Sequence, residues 1–103
     1  MKYLLTTAVI LLTTATAQAD KVNELCTTIS KNASMIMELR QSNAPLSGVL
    51  EAVKGVDILE TLAMEAYKKP RYSSDEYKTN AIADFGNLAM ITCLQAFKEK
   101  VKS

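Results

Sequence analysis

The chain has 103 residues, enough for one domain, and its charge is balanced: twelve Lys plus Arg against eleven Asp plus Glu, formally +1. That balance argues against a nucleic-acid binder, which needs an excess of positive charge for the phosphates. No residue is a histidine, so histidine acid–base catalysis, histidine metal ligation and a histidine pH switch are excluded.

Residues 1–19 read as an export signal. Lys2 gives a short positive start, Leu4 to Leu12 a brief apolar core, and Ala17-Gln18-Ala19 the small residues that suit cleavage before Asp20. A membrane anchor is the competing reading. The apolar segment is far shorter than the roughly 20 residues a span needs, and threonines interrupt it. The first cysteine lies well beyond the cleavage point, so a lipid anchor on the first mature residue is not expected. A product free of the membrane is expected, with a domain over residues 20–103. Losing Lys2 leaves eleven cationic and eleven acidic residues, a formal charge of zero.

A chain of this size buries a modest core and often needs a staple. Two cysteines in an exported protein, Cys26 and Cys93, are most simply one disulfide. Closing so long a loop disfavours the unfolded chain by about 4 kcal/mol on loop entropy. Reduced buried thiols are the alternative; a metal site of two cysteines without histidine is a weaker one.

Helix one is predicted over Lys21 to Arg40, where Val22, Leu25, Cys26, Ile29, Ala33, Ile36 and Met37 recur at helical spacing. Gln41 to Pro45 reads as a turn. A short second helix follows over Pro45 to Lys54, with Leu46, Val49, Leu50 and Val53 inward, and Gly55 closes it. Asp57 and Glu60 form a capping-box pattern for helix three, Ile58 to Lys68, stopped by Pro70. Ser73 and Glu76 form another for helix four, which runs to Lys102. On helix four, Tyr77, Ala81, Phe85, Leu88 and Thr92 lie on one side, with Ile82, Gly86, Ala89, Cys93 and Phe97 beside them. A Cys26–Cys93 bond sets the start of helix one beside the end of helix four, so the two run antiparallel, and Gly86 and Ala89 allow close approach. Gly86 could equally be a weak point costing about 1 kcal/mol against alanine. Ile91 and Leu94 fall off the stripe, and cover from helices two and three is expected, with a self-association patch as the alternative. No segment alternates with period two. The fold class is all-α: a small four-helix bundle or orthogonal cluster stapled by one disulfide.

Little in the chain carries chemistry. Glu60 with Glu65, or Asp75 with Glu76, could be called carboxylate pairs, but each sits where surface or capping roles expect it. Three scattered glycines make no phosphate loop. Neither an enzyme nor a cofactor is expected. Met37 and Met90 read as core filler, while Met35 and Met64 fall off the stripes and suit exposed contact. The most individual stretch is Tyr67-Lys68-Lys69-Pro70-Arg71-Tyr72-Ser73, three cations and two tyrosines about a proline. Tyr and Arg dominate protein interfaces, so Lys68, Lys69, Arg71 and Tyr72 are the candidate contacts for a protein partner. The plain alternative is a solvated connector.

The series Cys26, Arg40-Gln41, Pro45, Ala66-Tyr67, Pro70-Arg71-Tyr72-Ser73, Phe85 and Cys93 resembles a group of small exported proteins common in phage and prophage genomes of Gram-negative bacteria. The resemblance covers most of the chain after the signal and implies a periplasmic helical protein without supplying an activity. In layout alone the chain is also similar to the small periplasmic acid-stress chaperones. The expected product is periplasmic or secreted and works by binding another protein, with no nucleic acid and no membrane after cleavage. A monomer is expected, with a homodimer as the alternative.

Overall fold

In the computed structural model, four helices follow one another: α1 (Lys2–Gln41), α2 (Leu46–Ala52), α3 (Asp57–Lys68) and α4 (Asp75–Lys102). The structure describes the backbone of residues 2–102 and the side chains of residues 19–98. The expected signal falls almost wholly on side chains outside that range. Among the described residues there is no strand.

Each boundary has a local cause. Asn43 takes a left-handed conformation (φ 66°) and stops α1, with Ala44 N donating to Leu39 O (2.9 Å) and Asn43 N to Arg40 O (3.1 Å). This is a Schellman closure with asparagine where glycine is usual. Gln41 therefore ends the helix instead of belonging to the turn. Pro45 precedes α2 in extended geometry (φ −70°, ψ 141°), and α2 stops at Ala52, short of the expected Lys54. Gly55, at φ 87°, supplies the left-handed turn that most side chains resist. The N-cap of α3 is Val56, which has no capping side chain. Asp57 lies inside the first turn, while Glu60 Oε1 reaches back to accept from Gly55 N at 2.9 Å. Neither half of the expected Asp57–Glu60 box forms: Glu60 bonds the N–H that precedes the cap residue, and Asp57 caps nothing. At α4 the cap is Ser74, whose Oγ accepts from Tyr77 N at 3.2 Å, one residue beyond the expected Ser73.

The helices assemble on α1. The Cys26–Cys93 bond (Cα–Cα 5.5 Å) fixes one end of the α1–α4 pair. Further along, Ser30 Oγ donates to Gly86 O (2.8 Å), Ser34 Oγ to Ile82 O (3.4 Å) and Lys78 Nζ to Gln41 O (3.3 Å). Numbers rise on one helix as they fall on the other, so the pair is antiparallel, as expected. A Cβ on Gly86 would overlap Ser34 Oγ and stand 3.3 Å from Ser30 O. Close approach, not weakness, is the role of this glycine. On α4 the stripe that is buried is Phe85, Gly86, Ala89 and Cys93. Tyr77 (61%), Leu88 (50%) and Ile91 (52%) remain exposed, which overturns the first stripe in part and the expected cover of Ile91. The reason is length and placement: α2 has only seven residues and packs on α3 and α1, while α3 packs on α1 and leaves the outer side of α4 bare.

The core is Ala33, Ile36, Met37, Val49, Ala63, Ala66, Phe85 and Ala89. Four of these are alanines, so the helices approach closely but each buries little apolar volume, about 0.8 kcal/mol per methylene-sized group. Met37 is core, as expected; Met90 is half-buried, and Met35 and Met64 are exposed.

Two outcomes test this assembly. Cys26→Ser or Cys93→Ser should lower the unfolding free energy by about 2–5 kcal/mol, read by urea titration. Gly86→Ala should destabilise by about 1–2 kcal/mol despite alanine's better helix propensity of about 1 kcal/mol. Adding Ser34→Ala removes the overlapping oxygen, and the double variant should lose less than the sum of the two singles.

Candidate functional site

Two features adjoin at the C-terminal end of α3: the turn from Tyr67 to Tyr72 and an apolar groove. The turn is held from below by the last two residues of α1. Arg40 Nε and Nη2 donate to Lys69 O at 3.2 and 3.1 Å, and its guanidinium lies 5.2 Å from the Tyr67 ring centroid. Gln41, 2% exposed, uses its whole amide. Nε2 donates to Pro70 O (3.0 Å) and Met37 Sδ (3.4 Å), and Oε1 accepts from Tyr72 N (2.9 Å). One buried side chain thus grips the backbone on both sides of Arg71. Tyr67 OH donates to Ala44 O. Burial raises the Tyr67 pKa above its usual 10.0, with Arg40 opposing. The neutral phenol is the form the fold favours, so this contribution is full below pH 10 and is lost as pH rises through the raised value.

The predicted contacts are arranged as follows. Lys68, Lys69 and Arg71 are exposed. Lys68 Nζ pairs with Glu65 Oε1 at 3.0 Å in solvent, which adds little stability. Tyr72, 38% exposed, tilts against Tyr77 with ring centroids 5.9 Å apart, an aromatic pair that steadies its ring. Tyr67 is half-buried. Sequence reasoning missed the residues that shape the turn. Arg40 looked like a helix-ending cation and Gln41 like a loop residue; their partners lie 29 and 31 positions away, where no local pattern could reveal them.

The groove runs between α3 and α4 over a floor from α1. Lys69 stands against Arg40, while Ile58 shares the groove with Leu25 and Ile29. Hence α3 runs parallel to α1 and antiparallel to α4, and the two walls meet α1 far more than each other. The space is about 450 Å³. Its walls are apolar, with Ile58 and Leu62 on one side and Leu88 and Phe97 on the other. The charged lining residues, Glu65 and Lys69, both lie toward the turn end. A smaller space of about 190 Å³, bounded by Tyr72, Asp84 and Phe85, continues it beyond Lys69.

Among the described residues, no group of three or more His, Cys, Asp or Glu is placed to hold a metal, and no helix is long and apolar enough to cross a membrane. The disulfide fits an oxidising compartment outside the cytoplasm. Comparison with known protein families, curated proteins and solved structures finds no match.

Gln41→Ala should leave Pro70 O and Tyr72 N without their partner, at a cost of about 2–3 kcal/mol. Hydrogen exchange reads the cause directly: the Tyr72 amide should pass from protected to freely exchanging, while amides within the α1–α4 pair keep their order of protection.

Proposed function

We propose that the protein is a small periplasmic binding module that acts by docking another protein at the turn from Tyr67 to Tyr72. The observation that carries this reading is the Gln41 grip on both flanks of Arg71. A surface segment already held in one conformation loses little entropy on binding, so its contacts convert more fully into affinity. Arg71 and Tyr72 are the residue types that anchor interfaces, and Lys68 and Lys69 beside them favour the approach of an acidic surface. The resemblance to exported phage and prophage proteins suggests that the partner belongs to the cell envelope, either the host's or one made by a competing phage.

A second reading, a stress chaperone, draws on the open apolar groove. A chaperone should slow the aggregation of unrelated proteins at low pH or on heating and gain dye-binding apolar surface as it does so, whereas a specific binder does neither.

The test is paired affinity capture from a periplasmic extract. Arg71→Ala with Tyr72→Ala should keep the helical content and the disulfide. The capture of whichever protein the parent retains should weaken at least tenfold, about 1.4 kcal/mol. Equal capture by parent and double variant would show that the turn is only a connector.

A further inference from the structure

We infer that the groove between α1, α3 and α4 is a binding site for a free long-chain fatty acid, its carboxylate at Lys69 and its chain running along the α1 floor toward Phe97. The inference shares Lys69 with the docking turn but does not rest on that reading, because it needs no protein partner.

Three observations converge on this ligand. The first is length. Along α3 the lining extends from Ile58 to Lys69, eleven residue steps or about 16 Å at helical rise. An extended alkyl chain advances about 1.25 Å per carbon, from bonds of about 1.5 Å and near-tetrahedral angles, so the groove matches roughly thirteen carbons. The second is volume. An apolar cavity of about 150 Å³ takes one benzene. The 450 Å³ here is threefold larger, room for about eighteen non-hydrogen atoms, or an acid of about sixteen carbons. Both measures point to a single chain of medium to long length.

The third observation is where the charge lies. A site for an apolar ligand is expected to be lined by hydrophobic side chains with a few polar groups that fix orientation. Here the charged lining residues, Glu65 and Lys69, gather at one end, so the site is polarised like the ligand. Glu65 is already paired with Lys68, and Lys69 forms no ion pair among the described residues. At that end Arg40, which donates to Lys69 O, adds a second cation beside Lys69, against Asp84 lining the adjoining space. A carboxylate is therefore favoured there over a neutral or cationic head. At the far end Ile58 and Phe97 offer only apolar surface to the terminal methyl.

The experiment uses the purified protein and a dansyl-labelled undecanoic acid, whose emission rises in apolar surroundings. The probe should bind with micromolar affinity and be displaced by hexadecanoic acid. Lys69→Glu should weaken the displacing acid at least tenfold. Thr92→Trp, which places an indole in the groove from an exposed wall position, should abolish probe binding while circular dichroism and thiol titration show the helices and disulfide intact. Ile58→Asp gives a second blocked variant from the opposite wall should Thr92→Trp fail to fold. Hexadecyltrimethylammonium should displace the probe at least tenfold less well than the acid. The inference is overturned if the parent does not bind the probe, or if both blocked variants bind it as the parent does. It is equally overturned if the cationic amphiphile or a zwitterionic lysophospholipid competes as well as the acid. A dimer in sedimentation that Thr92→Trp dissociates, together with no probe binding, would assign the groove to a second copy instead.

Discussion

The antiparallel seam between α1 and α4 sets the positions of everything else. It is fastened at one end by a covalent bond, in the middle by serine hydroxyls donating to backbone carbonyls, and near the other end by a lysine on the final carbonyl of α1. Only the absence of a side chain at Gly86 lets the two backbones come near enough for the serines to reach. In a domain with an alanine-rich core the apolar contribution per contact is small. Directional bonds and a cross-link thus take over part of what larger side chains supply elsewhere.

With α4 committed to α1, α3 can only lie along a second face of α1. A closed four-helix bundle would place another long helix across the gap. Here the remaining element, α2, has seven residues and sits against α3 and α1. The open side of the molecule follows from this shortage. Leu25, Ile58 and Leu88 are about half exposed although each belongs to an apolar stripe, because the helix that would cover them is not there. The cationic turn lies at one mouth of that gap because α3 ends where α1 ends, and the same two α1 residues that finish the helix also anchor the turn.

Most of the architecture was legible in the sequence. Helical spacing, Pro45, Gly55 and Pro70 mark the four helices to within a few residues, except that α1 begins at Lys2, well before the expected Lys21, and the two cysteines imply their pairing. Local signals failed where two similar candidates competed. Ser73 and Ser74 are both capping residues, and only the entry angle of the chain selects the second. The two stripes on α4 are nearly equal in apolar content, and the choice between them rests on Gly86, which turns one of them toward α1. The expected cover for Ile91 failed because periodicity says which residues are apolar and nothing about whether another helix is long enough to reach them. The exposure of Lys68, Lys69, Arg71 and Tyr72 could be read from their chemistry. What stiffens them could not, since Gln41 acts across some thirty positions.

The disulfide also has a topological consequence. Joining Cys26 to Cys93 encloses all three interhelical connections and all of α2 and α3 within one covalent ring of chain. A protease that cut the exposed stretch at Ser73 or the turn around Gly55 would open the ring without releasing a fragment. The two pieces would stay joined through sulfur and still share the α1–α4 seam. In an oxidising compartment, where the bond persists, such a chain can be nicked and remain one molecule.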